Sequence, residues 1–226
     1  MKLPLVIVCF AGPSLLSAGV FNFSDTGFNP SDWSADLIYN TTASVASYTT
    51  IQAGSGGNPG AWRETTHTYD TGGMAVGQIN KTFVFAPLLH GGAITSLDFS
   101  YDFNVIDAGA SLAVAHGLAI TQLGRYFVAA YVSQTPGGGW VGHSASGLTA
   151  SDFTEYNGTA HPDFSAPLAF GYVTANGTGG GLTGTHHGLD NYSVTFTTVP
   201  EPPALAWVGL FGGGALGWSL VRRRGR

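Results

Sequence analysis

Cysteine and charge are what this 226-residue chain has least of: it holds one cysteine, and 9% of its residues are charged. The cysteine, Cys9, lies close to the N-terminus, so the chain beyond it has no thiol and no disulfide to draw on. Basic residues are scarcer still in the middle. Lys2 stands alone at the start, and Arg222, Arg223, Arg224 and Arg226 crowd the last five positions, which leaves only Arg63, Lys81 and Arg125 between them. Three bases against the twelve acids from Asp25 to Asp190 give this stretch a balance of −9. A nucleic-acid partner requires a basic surface to displace counterions from phosphate. The sign here is the opposite, so nucleic acid is excluded. No clean internal repeat occurs, which argues against a propeller or solenoid. The 34 glycines follow no three-residue period, which excludes collagen. Few charges with 14 Phe, 9 Tyr and 5 Trp exclude a disordered polyelectrolyte and leave a chain able to bury a core.

The two ends are apolar. After Lys2 comes the run Leu3 to Leu16, broken by Gly12 and Pro13, and then Ser17-Ala18-Gly19. A positive start, a short apolar stretch and small residues predict a secretory signal peptide over 1–19, cut after Gly19. An uncleaved anchor is the competing reading, disfavoured by the short run and by Pro13. The other end reads Val199-Pro200-Glu201-Pro202-Pro203, then an uncharged stretch from Ala204 to Val221, then Arg222-Arg223-Arg224-Gly225-Arg226. As a helix, 204–221 would reach ~27 Å at ~1.5 Å per residue, near the ~30 Å hydrocarbon core of a bilayer. Arginines at 222–226 would then lie on the cytoplasmic side. A buried core helix is rarely apolar on every face, nor does it usually end in four arginines.

Pro200-Glu201-Pro202, one apolar span and a terminal basic cluster with Arg222, Arg223 and Arg224 together resemble the PEP-CTERM sorting signal of exported bacterial proteins. The resemblance covers 200–226. It implies export machinery, a membrane-anchored intermediate, and processing near Pro-Glu-Pro by an exosortase that passes the protein to the cell surface. A plain single-pass anchor is the alternative.

Between the ends, 20–199, period-two alternation dominates. Leu97, Phe99, Tyr101 and Phe103 alternate with Asp98, Ser100, Asp102 and Asn104. Tyr192, Val194 and Phe196 alternate with Ser193, Thr195 and Thr197. Strands are predicted over 62–69, 78–85, 94–104, 125–133, 168–174 and 190–198, separated by glycine-rich breakers at 54–60, 72–73, 91–92, 136–139 and 177–181. A single helical turn is predicted over 152–156, introduced by Ser151. The expected fold is all-β, a jelly-roll-like two-sheet β-sandwich, with a signal peptide and one C-terminal transmembrane helix outside it. Gly57-Asn58-Pro59-Gly60 before a strand, Phe85-Ala86-Pro87 after another, and Gly188-Leu189-Asp190-Asn191-Tyr192-Ser193-Val194 near the end resemble the jelly-roll domains akin to galactose-binding and laminin-B modules. That resemblance implies an adhesion or glycan-binding module rather than an enzyme.

Candidate chemistry is thin. Aromatics that could stack on sugar rings are Trp33, Trp62, Trp140 and Tyr156, with Trp140 and Trp62 the leading pair. His186, His187 and Asp190 form the densest polar cluster. Adjacent strand residues point to opposite faces, so surface-loop histidines are preferred there over zinc ligands. Calcium is the ion an acidic, oxygen-rich domain would take. In jelly rolls of the resembled type an early loop and the start of the last strand bracket a structural ion, which nominates Asp25 and Asp190. No dense Asp-x-Asp-x-Asp loop accompanies them. The expected function is a non-catalytic, exported, cell-surface β-sandwich with a polysaccharide partner. The alternative is a secreted carbohydrate-active enzyme with the same tail, which would need a cleft holding two carboxylates in range.

Overall fold

The alternation read in the sequence is the alternation of burial. Leu97, Phe99, Tyr101 and Phe103 are 0–5% exposed, whereas Asp98 and Ser100 between them face water. In the computed structural model, residues 18–178 and 180–199 are described. They form β1 (Gly19–Asp25), β2 (Trp33–Asn40), β3 (Ala46–Gly57), β4 (Gly60–Tyr69), β5 (Gly72–Phe85), β6 (Ala93–Asp107), β7 (Val114–Gln122), β8 (Arg125–Gln134), β9 (Val141–Leu148), β10 (Thr154–Glu155), β11 (Leu168–Thr178) and β12 (Thr183–Val199). The first sheet has the order β3-β4-β12-β6-β9, with β1 also paired to β12; the second has the order β10-β8-β7-β11-β5-β2. Neighbouring strands are antiparallel throughout. The domain is the expected all-β two-sheet sandwich.

All six strands read from alternation are present, and every one of them runs longer than expected. The structure adds six further strands, of which β1 and the first half of β3 also alternate in burial. β7 is buried on both faces and fills its outer face largely with alanine and glycine, while half of β9 is serine and glycine. The helical turn lies earlier than expected. It is a 3-10 turn at Ala150–Asp152, capped by Thr149, and Thr154–Glu155 already belongs to β10. Thr149 wins over Ser151 because its hydroxyl and its backbone N–H both reach the Asp152 carboxylate, closing a capping box. The glycine-rich segment 54–57 is not a break but the bulged end of β3, and the turn is confined to Asn58 and Pro59.

β12 explains the sheet. Its Thr183–Leu189 half pairs with β4, and its Tyr192–Thr198 half pairs with β1, so the two short partners share one edge of one long strand. The register with β6 shifts between Asp190 and Ser193, and Asn191 takes a left-handed φ of 50° at that point. Gly19, the expected last residue of the leader, pairs with Thr198. The rest of the leader up to residue 17, the Pro-Glu-Pro motif, the apolar span and the terminal arginines lie outside the described residues. Among the described residues no helix is long and apolar enough to cross a membrane.

The interior has two chemically different halves. Near the chain ends, Phe21, Phe83, Phe85 and Phe196 pack on the His90 ring at centroid distances of 5.2–5.9 Å, and Phe170 packs on Phe83 and Phe196 at 6.1 and 5.8 Å. At the far end the two sheets meet through polar groups. His67 Nδ1 bonds Asn176 Oδ1 at 2.7 Å, His67 Nε2 bonds Thr174 Oγ1 at 3.1 Å, and Tyr101 Oη bonds His116 Nδ1 at 2.8 Å. His187 packs edge-on against His67 and tilted against Phe103, and neither of its ring nitrogens has a hydrogen-bond partner. His67, His116 and His187 are all 0% exposed. Burial drives their pKa values down, His67 to about 4, His116 to about 3 and His187 well below its ordinary value.

These histidines are neutral in the folded state, while in the unfolded chain each binds a proton near pH ~6.5. The unfolded state therefore holds more protons below that pH, and stability falls as pH drops from about 6.5 towards about 4. The slope is at most ~1.4 kcal/mol per pH unit for each histidine. Denaturant midpoints measured between pH 7.5 and 4.5 should show this decline. His187→Leu, which removes two unpartnered nitrogens, should flatten it and raise the midpoint at pH 6. A profile unchanged by that substitution would rule His187 out as a contributor.

Candidate functional site

The outer face of the second sheet is paved with small side chains. Gln78 points inward to Arg63 and Thr65, so Ala75, Gly77 and Ile79 of β5 point out. Leu118 and Ile120 belong to the core, so Gly117, Ala119 and Thr121 of β7 point out beside Ala169 and Val173 of β11. Ala75, Ile79, Ala119, Ala169 and Val173 form a second apolar cluster, separate from the core, on which Tyr126 and Tyr156 lie.

Tyrosines fill the space that the missing side chains leave. A Cβ at Gly77 would sit 2.3 Å from Cε1 of Tyr126, and one at Gly117 would sit 3.0 Å from Cδ2 of Tyr131. The Tyr126 ring thus crosses from β8 to lie over β5. Its hydroxyl donates to Asp36 Oδ2 on β2 at 2.6 Å, which ties the two flanks of the sheet together over the floor. Tyr156, at the end of β10, is pinned by its backbone N–H to the Tyr126 carbonyl at 2.8 Å. Its ring stands edge-on to Tyr39 at 6.2 Å and to Tyr131 at 6.4 Å. Tyr131 is 44% and Tyr39 36% exposed, so ring surface reaches solvent.

An open cavity of about 600 Å³ runs beside these rings, lined by Ser34, Asp36, Thr121, Arg125, Tyr126, Glu155 and Tyr156 among others. Arg125 donates through Nε to Glu155 Oε1 at 2.6 Å and through Nη2 to Oε2, a two-pronged ion pair at the rim. That contact holds the Glu155 carboxyl below the usual carboxylate range. Burial, reinforced by Asp36, raises the Tyr126 phenol, and burial raises Tyr131 and Tyr156. The groove therefore presents neutral phenols, a fixed cation, a fixed anion and small hydroxyls along an apolar floor.

The candidates named from sequence fall elsewhere, apart from Tyr156. Trp62 and Trp140 come together edge to face at 5.6 Å, but on the outer face of the first sheet. Trp62 is 7% exposed, and both indole N–H groups are spent on the end of β3, on the carbonyls of Ser55 and Gly56. The pair lies over Gly188, where a Cβ would be 2.2 Å from Trp62. Trp62 could offer a ring face to a sugar only by leaving this packing. Trp33 is buried beneath Arg63, whose guanidinium sits 5.3 Å from its ring centroid.

Asp25 and Asp190 serve separate networks. Asp25 accepts from the Gly27 and Phe28 N–H groups at 2.8 Å, from Trp33 Nε1 at 2.7 Å and from Asn80 Nδ2 at 3.3 Å. Asp190 accepts from the Asn58 and Asn191 N–H groups, and burial raises its pKa. Both carboxylates are occupied by N–H donors rather than turned to a common point. No group of three or more His, Cys, Asp or Glu among the described residues could hold a metal ion. His186 and His187 are not surface-loop residues. They lie within β12 with opposite orientations, His186 on Glu64 at 2.8 Å and His187 in the core, because β12 extends seven residues further towards the N-terminus than the alternation alone indicated.

Tyr39, Tyr126, Tyr131 and Asp36 escaped the sequence reading. The signal was present as a run of Ala and Gly on alternate positions of β5 and β7, but it identifies a groove only once the strands are in register.

No protein-family model matches the chain, and no curated protein does. Among solved structures, it is similar to the family 11 carbohydrate-binding module of the cellulosomal cellulase Lic26A-Cel5E of Clostridium thermocellum, at 14% identity over 81% of this chain and 98% of that one, with a TM-score of 0.47. It is also similar to the xylan-binding module CBM15, at 16% identity over 81% and 99% of the two chains, with a TM-score of 0.41. The K1 cleaved adhesin domain of Lys-gingipain from Porphyromonas gingivalis W83 matches at 9% identity over 77% and 97%, with a TM-score of 0.35.

The small floor carries a direct test. Gly77→Val should push the Tyr126 ring off β5 and break its bond to Asp36, at a cost of ~1–3 kcal/mol in unfolding free energy. Gly124→Val, at a hairpin tip where a Cβ meets nothing, controls for loss of glycine alone, although its φ of 76° adds strain of its own. Urea denaturation of both variants measures the difference, and a Gly77→Val protein as stable as wild type would mean that the ring does not rest on the floor.

Proposed function

We propose that the domain is a non-catalytic glycan-binding β-sandwich whose ligand lies in the tyrosine-lined groove of the second sheet. The observation that carries this reading is the placement of Tyr126 and Tyr156 over the alanine and glycine floor, with Asp36, Arg125 and Glu155 lining the same cavity and the Tyr39 and Tyr131 rings standing edge-on to Tyr156 beside it. Sugar rings offer apolar C–H faces to aromatic planes and hydroxyls to carboxylates and guanidinium groups. An open cavity suits a stretch of chain rather than an enclosed small molecule. The domain's balance of −9 favours a neutral glycan over a polyanionic one.

Affinity electrophoresis and calorimetry of the purified protein against neutral and acidic polysaccharides test the proposal. Tyr156→Ala and Tyr131→Ala are each expected to weaken binding of a neutral polysaccharide at least ~10-fold, the equivalent of ~1.4 kcal/mol. Trp140→Ala should leave it unchanged. Loss of binding in Trp140→Ala with the tyrosine variants unaffected would move the site to the first sheet.

Asp36 and Glu155 also define the enzymatic alternative, since two carboxylates line one cavity. Glycoside cleavage needs one of a pair to be protonated near neutral pH. Glu155 is held the other way by Arg125, which favours binding over cleavage. Release of reducing ends from a bound polysaccharide, abolished in Glu155→Gln, would overturn the non-catalytic reading.

The ends of the chain complete the proposal. Residues 1–19 direct export, and 200–226 act as a sorting tail in which 204–221 first spans the inner membrane and an exosortase cuts near Pro200-Glu201-Pro202. The proline rings keep that site extended and outside the helix. Replacing Pro200-Glu201-Pro202 with alanines should leave membrane insertion intact and block release, read by mass spectrometry of the mature C-terminus in a host with a working exosortase. An intact Arg226 on wild-type surface protein would leave a simple anchor in place of sorting.

A further inference from the structure

The connection between β5 and β6 exposes Leu88 and Leu89 almost completely, at 97% and 80%. The turn that carries them is built. The N–H groups of Leu89 and His90 donate to the Ala86 carbonyl at 2.9 and 3.0 Å, and the Gly92 N–H donates to the Pro87 carbonyl at 2.9 Å. Beneath it the His90 ring packs on Phe21, Phe85 and Phe196 at 5.2, 5.4 and 5.9 Å, so the leucines have no room to turn inward. No Asp, Glu, Lys or Arg occurs from Thr82 to Leu97. An uncharged, hydrogen-bonded turn that holds two adjacent leucines in water is an apolar patch of the kind that marks an interaction surface.

Its position says which partner. The His90 carbonyl accepts from Thr198 Oγ1 at 2.9 Å, and Val199 pairs with Ala93, so the turn stands beside the last described residue of β12. Gly19 pairs with Thr198, which brings both ends of the domain to this pole. Val20 and Val199, 69% and 50% exposed, lie there as well. Only Pro200 to Pro203 separate Val199 from the apolar stretch 204–221. Even fully extended, those four residues span at most ~14 Å at ~3.3–3.6 Å per residue.

We propose that Leu88 and Leu89 form a membrane-interface contact, resting in the headgroup–acyl boundary of a lipid bilayer and holding this pole of the domain against it. The inference rests on reading 204–221 as a span. Two leucines hold a free protein to lipid only weakly, but a four-residue tether makes the contact intramolecular, with an effective concentration in the ~mM range. The attraction is apolar and the domain is acidic, so added salt should not weaken it. Release of the tail would then free the pole as well, because the two leucines alone hold it only weakly.

The experiment uses the full chain with Cys9→Ser and a single environment-sensitive label at Leu88→Cys, reconstituted into phosphatidylcholine vesicles containing some phosphatidylglycerol. A second sample carries the label at Leu112→Cys, an apolar position 74% exposed and remote from the tail at the β6–β7 connection. The label at 88 should shift to the blue and be quenched by a lipid-borne quencher, at low and at high salt, while the label at 112 stays in water. Adding Leu89→Ser should reduce the shift at 88 without changing how much protein floats with the vesicles. A chain that floats with both labels in water overturns this inference alone. A chain that does not float overturns the span reading and this inference with it. A blue shift present without vesicles and growing with protein concentration assigns the turn to a second copy of the chain and overturns the bilayer contact.

Discussion

The domain depends on one strand being long enough to serve two partners. β12 pairs with β6 over most of its length, and its other edge is divided between β4 and β1. At the division the strand must change register, and a knot of polar side chains fixes how it does so. Asn191 Nδ2 donates to Asp102 Oδ2 at 2.7 Å and to the Asn58 carbonyl, Asn58 Nδ2 donates to the same Asp102 oxygen at 3.1 Å, and the Asn58 N–H donates to Asp190. The left-handed φ of Asn191 is tolerable there because asparagine enters that region more readily than most residues. Two of the motifs that stood out in the sequence, around Asn58 and around Asn191, are thus two sides of one junction.

That junction also separates the two interiors. On the side of β1, phenylalanines interlock with His90 and close the pole where both chain ends leave. On the side of β4, the sheets meet through His67, Asn176, Thr174 and Thr185 instead. Arg63 sits near the boundary, 2% exposed, bound to Gln78 at 2.5 Å and Thr50 at 3.1 Å. No carboxylate within salt-bridge distance of it is found among the described residues. Burying a cation without a counter-ion is costly unless its N–H groups are satisfied, which is the role the amide and hydroxyl fill. Tyr69, Met74 and Val76 are fully buried on this side as well, so the polar contacts stand beside apolar burial rather than in place of it.

The outward faces divide in the same spirit. On the first sheet, tryptophans cover Gly188 and turn their N–H groups onto the end of β3, which packs the Trp62 ring away from solvent. On the second, tyrosines cover glycine and alanine but keep their rings partly in water and leave an open cavity beside them. The same device, a large ring over a missing side chain, buries Trp62 on one sheet and leaves tyrosine rings partly in water on the other.

The sequence by itself determined the secondary structure class and six of the strands, because a half-buried strand must alternate and Leu97 to Phe103 and Tyr192 to Phe196 do so without exception. It determined as well that the ends differ in composition from the middle, which is a matter of counting. Only the tertiary structure decided which aromatic rings are available. Trp62 and Tyr126 are both aromatics in strands, and nothing local distinguishes them. What does is the residue across the sheet, Gly188 for one and Gly77 for the other, together with what lies beyond it. His187 was hidden for the same reason. Its burial follows from the length of β12, which is set by pairing with β4, a contact more than a hundred residues away in the chain.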